Sequence, residues 1–200
     1  MIGTIKTVFI GESNTGKTSI VYRLMKNEFY NNSESTIGAS FMTLKFDDIS
    51  YQIWDTAGQE RYNCLIPMYC KNAELIFFVF DVSNPESINR LDFYIDKLNI
   101  DLDKNVRFII VGNKLDLVKG DSHIVNGLID LKLEKFSKLK GRTDYINISA
   151  KSGLNCDILV DKMKSMGQII VKNKPNDSYN NIITLTYQDS QKPTDDTCRC

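Results

Sequence analysis

Eight consecutive residues, Gly11-Glu12-Ser13-Asn14-Thr15-Gly16-Lys17-Thr18, constrain this chain more than any other stretch. They satisfy the pattern G-x-x-x-x-G-K-[ST], which functions only between a buried strand and the first turn of a helix. The flanks agree, because Ile5 to Ile10 is an apolar run and Ser19-Ile20-Val21-Tyr22-Arg23-Leu24 continues as a helix. In that setting successive backbone N–H groups converge on an anion, and the helix start adds partial positive charge. The loop is therefore expected to hold phosphate, with Lys17 across the outer phosphates and the Thr18 hydroxyl on a magnesium ion.

Continuous apolar runs at Leu75 to Phe80 and Val106 to Val111 read as interior strands of a mostly parallel sheet covered on both faces, and Asp144 to Ile148 is a shorter one. Met42, Leu44 and Phe46 alternate with Phe41, Thr43 and Lys45. A turn at Asp47-Asp48 then leads into Tyr51-Gln52-Ile53-Trp54, so this stretch reads as a hairpin. Helical spacing appears at Ile88, Leu91, Ile95 and Leu98, at Ile129, Leu133 and Phe136, and at Leu159, Met163, Met166 and Ile170. Strand and helix alternate throughout, which implies an α/β doubly wound fold: a mostly parallel six-stranded sheet with helices on both faces. Ligands then bind outside the carboxyl ends of the strands, where Gly11, Asp55, Asn113 and Ser149 fall.

A chain of 200 residues suffices for one domain and a tail. The expected division is a domain over 1–172 and a polar, flexible tail over 173–200, in which Ile182 to Leu185 is more apolar than a linker needs. A formal net charge of zero argues against nucleic acid as the main partner. No apolar run is long enough to cross a bilayer, and the N-terminus does not read as a signal peptide. The five cysteines, at 64, 70, 156, 198 and 200, match no zinc or disulfide spacing, so a reducing cytosolic setting is expected. Cys64, Cys70 and Cys156 read as small apolar packing residues.

Further chemistry-bearing residues follow the octet in order. Asp55 ends a strand and is suited to hold the magnesium ion through water, although a strand-end Asp is also a common cap. Gly58 offers a backbone N–H to the terminal phosphate, and the Gln59 amide can orient an attacking water. Asn113-Lys114-Leu115-Asp116 reads the base. The Asp116 carboxylate accepts from the ring N–H and the exocyclic amine of guanine, a pair of donors adenine lacks, so discrimination of about 10⁴-fold is expected. The aliphatic stem of Lys114 lies against one face of the base, Phe29 covers an edge, and Ser149-Ala150-Lys151 supplies a backbone N–H for the guanine oxygen. Thr36, in the exposed stretch Phe29 to Gly38, becomes a magnesium ligand only when a third phosphate is present, which makes that loop a sensor of nucleotide state.

Taken together, residues 5 to 172 and the two terminal cysteines resemble the small Ras-like GTPases, and within them the Rab family. Trp54-Asp-Thr-Ala-Gly-Gln-Glu-Arg-Tyr62 is characteristic of Rab proteins, and Ser35 to Phe41 with Pro67-Met68-Tyr69 looks most like the early-endosomal branch. The resemblance implies a monomeric switch, on with GTP and off with GDP, acting in vesicle traffic. Its nucleotide contacts would come from Ser13, Asn14, Thr15, Gly16, Lys17, Thr18, Ser19, Phe29, Tyr30, Asn31, Thr36, Gly58, Asn113, Lys114, Asp116, Ser149, Ala150 and Lys151. Catalysis would rest on Gln59, Lys17 and Thr36, and magnesium on Thr18, Thr36 and Asp55. Phe41, Trp54 and Tyr69 would form an aromatic surface read by effector proteins; the plainer alternative is that they only cover the sheet. Implied partners are an exchange factor, a GAP, a GDP-dissociation inhibitor and the Rab escort protein. The implied location is the cytoplasmic face of endosomal or other vesicle membranes, cycling with the cytosol.

The chain also departs from its relatives. Ser13 and Asn14 replace smaller residues of Ras. Many Rab proteins carry serine at the first position, so hydrolysis is expected to survive at roughly 10⁻⁴ per second unaided. Cys70-Lys71 stands where endosomal relatives usually show tyrosine and arginine, and residues 121–141 are divergent. A guanine-nucleotide scaffold without useful hydrolysis, a Rab of a secretory or autophagic compartment, and an adenine-nucleotide kinase stand as alternatives.

The ending Cys198-Arg199-Cys200 matches the double-cysteine terminus of Rab proteins, which implies a geranylgeranyl group on each. One lipid binds a membrane marginally and two bind it stably. The tail's few basic residues are matched by Asp177, Asp189, Asp195 and Asp196, so anionic lipid adds little. Cys200→Ser should therefore release most of the protein from membranes in a fractionation assay, and unchanged membrane recovery would refute the two-lipid argument.

Overall fold

The computed structural model describes residues 3–31, 34–98, 106–118 and 142–174. The expected helix at Ile129 to Phe136, the divergent stretch 121–141, Ile182 to Leu185, Cys198 and Cys200 lie outside the described residues.

Strand β1 (Gly3–Ile10) buries both faces over its last four residues, as a central strand of a doubly covered sheet requires. Helix α1 (Lys17–Lys26) starts directly from the octet and stops at Asn27, whose left-handed backbone (φ 57°) caps it. Strands β2 (Ala39–Phe46) and β3 (Ile49–Thr56) form the expected antiparallel hairpin, with Met42, Leu44 and Phe46 on the inner face of β2. A 3-10 turn over Glu60–Leu65 then leads into the short helix α2 (Ile66–Cys70), which has a proline in its first turn. Strand β4 (Leu75–Asp81), a 3-10 turn (Pro85–Asn89), helix α3 (Arg90–Leu98), strand β5 (Arg107–Asn113), a 3-10 turn (Leu115–Leu117), strand β6 (Thr143–Asn147) and helix α4 (Cys156–Lys172) complete the described elements.

The sheet has six strands in the order β2-β3-β1-β4-β5-β6, parallel throughout except for the β2–β3 pair. After β1 the chain goes to one side of that strand for β3 and returns to its other side for β4. The loops at the carboxyl end of the sheet part there and leave a crevice.

Two cores result. On one face α1 and α4 cover Ile5, Phe9, Ile53, Phe77 and Ile109, with Phe9 and Phe77 stacked at 4.2 Å. Leu159, Met163, Met166 and Ile170 of α4 all point into this core, as their spacing requires. On the other face α2 and α3 cover Val8, Ile10, Phe78 and Phe108.

This second core changes two expectations. Trp54 does face away from Ile53, but that side is also covered, so the indole is half-buried against Tyr69 rather than fully presented. Ile88 is buried from the 3-10 turn that precedes α3, not from α3 itself. A third correction concerns the cysteines. Cys156 is buried and Cys70 half-buried, with burial pushing the Cys70 thiol up to about 12, but Cys64 is exposed on the 3-10 turn and is not a packing residue.

Helix α4 packs against β3 with no room for a side chain at Gly167. A Cβ at Gly167 would come within 2.0 Å of Tyr51 Oη and 2.9 Å of its Cζ. Tyr51 is fully buried, and its hydroxyl donates to Met163 O at 3.0 Å, so the ring has nowhere to go. Alanine would add about 1 kcal/mol of helix propensity. Displacing Tyr51 from a filled core and from its hydrogen bond costs about 2–4 kcal/mol, which is larger. Gly167→Ala should therefore lower urea-denaturation stability by about 1–3 kcal/mol, and adding Tyr51→Phe should recover part of the loss; a stabilised Gly167→Ala would contradict this packing.

Candidate functional site

The loops at the carboxyl ends of β1, β3, β5 and β6, with residues 29–31 and 34–36 between α1 and β2, enclose a cleft of about 440 Å³. All the nucleotide contacts expected from the sequence line it except Thr15 and Ser149. Those two shape it from behind: Thr15 Oγ1 donates to Glu12 O at 3.0 Å, and Ser149 Oγ donates to Asp116 Oδ1 at 2.5 Å. Gln59 also lines the cleft, as do four residues not expected there, Glu34, Ser35, Thr56 and Leu117.

At one end the octet wraps Lys17. The ammonium is buried and donates to Gly11 O at 3.0 Å and Glu12 O at 2.8 Å. Burial pulls its pKa down to about 8 against the opposing pull of Asp55 and Glu12, which leaves the ammonium mostly charged at neutral pH, and an arriving anion would favour that charged form further. Gly58 is pressed against this loop. A Cβ there would meet Ser13 N and Glu12 C at 2.4 Å, so only glycine brings the backbone at 58 so close to the octet. The Glu12 carboxylate itself turns away and pairs with Arg90 Nε at 2.7 Å.

Beside Lys17, three side chains meet. Thr18 Oγ1 donates to Asp55 Oδ2 at 2.6 Å and lies 3.0 Å from Thr36 Oγ1. Asp55 is fully buried, and its second oxygen, Oδ1, has no hydrogen-bond partner among the described residues. Burial raises the Asp55 pKa, while the Thr18 hydrogen bond and the Lys17 charge hold it down. A buried carboxylate with a spare oxygen, flanked by two hydroxyls, is an all-oxygen donor set that fits a hard divalent cation.

At the other end Asn113, 2% exposed, joins two loops: its Nδ2 donates to Thr15 O at 2.9 Å, and its Oδ1 accepts from Ala150 N–H at 3.0 Å. Lys114 has a left-handed backbone (φ 66°) and an ammonium tied to Asp81 Oδ2 at 2.8 Å, which fixes its aliphatic stem beside the cleft. Asp116 is exposed at the rim, where Ser149 orients its carboxylate. Phe29 is half-buried, while Tyr30 is exposed and meets Tyr22 edge to face.

Asp81 was missed in the sequence, although it ends β4 much as Asp55 stands near the end of β3, and the same positional signal applies to both. The Arg23 contacts with Ala150 and Lys151 and the Glu12–Arg90 pair carry no local signal, because those partners lie 78 to 128 residues away.

Away from the cleft, Phe41 meets Trp54 edge to face at 5.4 Å, and Trp54 meets Tyr69 at 6.0 Å. The Lys6 ammonium lies 5.4 Å from the indole. The three aromatics expected as one surface are therefore neighbours, and the exposed Ile37 and Met68 flank them in sequence.

Comparison with known proteins adds the following. The family model described as Ras family matches residues 6–168. The GTP-binding protein YPT53 of Saccharomyces cerevisiae is 39% identical over 158 residues, covering 76% of this chain and 71% of its own. The Ras-related protein Rab7 of Gossypium hirsutum is 31% identical over 205 residues, covering 98% of this chain and 96% of its own. The Rab7 of Pisum sativum is 29% identical over 204 residues with the same coverage.

The two hydrogen bonds of the Asn113 amide hold the loops together whether or not a ligand is present. Asn113→Ala would leave Thr15 O and Ala150 N–H buried and unpaired, costing about 2–4 kcal/mol. Thermal unfolding without nucleotide should show a fall of roughly 5–10 °C; an unchanged midpoint would mean the amide serves only a ligand.

Proposed function

This chain belongs to the Ras family and is a small GTPase, a GTP hydrolase, and from that premise we propose a switch of the Rab type, acting in vesicle traffic on endocytic membranes. The observation that carries the reading is the buried pair Lys17 and Asp55, with the Thr18 and Thr36 hydroxyls, at one end of a cleft whose other end is formed by Lys114, Asp116 and Ala150-Lys151.

In this reading the octet amides and Lys17 bind the β- and γ-phosphates, and charge developing in the transition state is met by donors already in place. Thr18, Thr36 and Asp55 would hold a magnesium ion, which supplies further charge neutralisation when bound. Gln59 orients the attacking water in line with the γ-phosphate, and Gly58 N–H meets a γ-phosphate oxygen. Asp116, held by Ser149, pairs with the two guanine donors, Lys114 lays its stem along the base, and the backbone at 150–151 meets the guanine oxygen. Ser13, Asn14, Gly16, Ser19, Phe29, Tyr30 and Asn31 complete the walls.

Thr36 reports the third phosphate to its loop, and Phe41, Trp54 and Tyr69 present that state to effector proteins. No helix among the described residues is long and apolar enough to cross a membrane. Membrane attachment therefore falls to lipids on Cys198 and Cys200 in a tail that begins after the 1–172 domain. An exchange factor, a GAP, a GDP-dissociation inhibitor and an escort protein complete the cycle. The name GTP-binding protein of the yeast relative supports the nucleotide, and the Rab7 names of the plant relatives support the Rab family.

Two measurements test this. Asp116→Asn should move preference from guanine towards xanthine nucleotides, and a variant that still prefers GTP would displace Asp116 as base reader. Capture from lysate with the protein loaded with a non-hydrolysable GTP analogue should retain endosomal tethers or phosphoinositide kinases that GDP-loaded protein and Trp54→Ala do not. Identical partners in both nucleotide states would favour a fixed scaffold, and secretory or autophagic partners would move the switch to another compartment.

A further inference from the structure

We infer that Arg23 is a positioning residue of the base site, a single guanidinium that holds two segments at the guanine end of the cleft from behind; this rests on the base-site reading above. Arg23 Nε donates to Ala150 O at 2.8 Å, and Nη2 donates to Lys151 O at 2.9 Å. On its other side Nη1 donates to Asn27 O at 2.7 Å and Asn27 Oδ1 at 3.2 Å. Ala150 and Lys151 line the cleft, and Asn27 ends α1 two residues before Phe29, which lines it as well. Arg23 does not line the cleft itself, so it acts only through these neighbours.

Three features make the arrangement more than a surface contact. The acceptors are the backbone carbonyls of Ala150 and Lys151 on one side and the carbonyl and side-chain oxygens of Asn27, the cap of α1, on the other, and a planar fork of donors spans them in a way a lysine ammonium cannot. The cation lies in the last turn of α1, at the negative end of that helix, where it is electrostatically favoured. The same helix begins with Lys17, so one rigid rod, about 9 Å from residue 17 to residue 23, ties the phosphate end of the site to the base end. Contacts to the base made by backbone at 150–151 depend on where that loop is held, and small misplacements are costly.

The test uses the full chain loaded with a fluorescent GDP analogue. Arg23→Ala should speed nucleotide release by about tenfold or more, as loss of charge-assisted hydrogen bonds of this kind implies. Arg23→Lys, which keeps the charge without the fork, should fall between wild type and alanine. The effect should be split, with release changing at least about tenfold more than single-turnover hydrolysis of bound GTP, since the fork touches the base walls and not the reacting phosphate. Release within about twofold of wild type in both variants overturns the inference, as does a parallel change in release and hydrolysis, the mark of general loosening. If Arg23→Ala does not fold, the lysine variant alone decides: release faster by more than about twofold with hydrolysis of bound GTP unchanged supports the inference, and release within about twofold of wild type, or a parallel change in both, overturns it. Failure of the base-site reading shows separately, as unchanged discrimination between GDP and xanthosine diphosphate in Asp116→Asn.

Discussion

One buried side-chain amide ties this structure together. Asn113 leaves the end of β5 with almost no exposure, and it bonds the octet through Thr15 O and the 149–151 loop through Ala150 N–H. The two loops follow β1 and β6, which do not neighbour each other in the sheet. A parallel sheet delivers its loop starts to one edge but leaves their relative positions loose. A polar side chain with a donor and an acceptor in fixed geometry removes that freedom, and in a low-dielectric setting each of its bonds is strong. The Lys114–Asp81 ion pair and the Ser149–Asp116 hydrogen bond extend the same bracing to the rim.

Much of this was readable beforehand because it depends on local rules. The alternation in β2 and the spacing in α4 report which side chains turn inward, and the described elements obey both. The octet, Asp55, Gly58, Asn113 and Asp116 were identifiable because each is a residue type with a narrow chemical use at a strand end. What remained hidden depends on what covers a face. Period-two alternation placed Trp54 opposite Ile53 but says nothing of α2 arriving over it, and Cys64 was read as packing before its 3-10 turn was seen to lie outside both cores. The Arg23 bonds to Ala150 and Lys151, and the pairs Glu12–Arg90 and Lys114–Asp81, join residues distant in sequence and leave no trace in local spacing.

The electrostatics of the cleft are unresolved in the protein alone. Lys17 and Asp55 are each buried at the cost of their charged forms, and each favours the charge of the other through space, while the Gly11 and Glu12 carbonyls accept from Lys17 and Thr18 donates to Asp55. In the function proposed above, a polyphosphate would bring negative charge to Lys17 and a divalent cation positive charge to Asp55. Binding is therefore coupled to relief of a mismatch that the fold itself maintains, and the loop carrying Thr36 is tied to the outcome by a hydroxyl 3.0 Å from Thr18.

Trp54 is the only tryptophan in the chain. Its indole stands between Phe41 of β2, Tyr69 of α2 and the Lys6 ammonium, half shielded from water. Its emission therefore comes from one site, and that site borders the two segments that flank the cleft. Intrinsic fluorescence of the unmodified chain can be read as a position gauge for those segments, without dye or label, from the energy and quenching of a single chromophore.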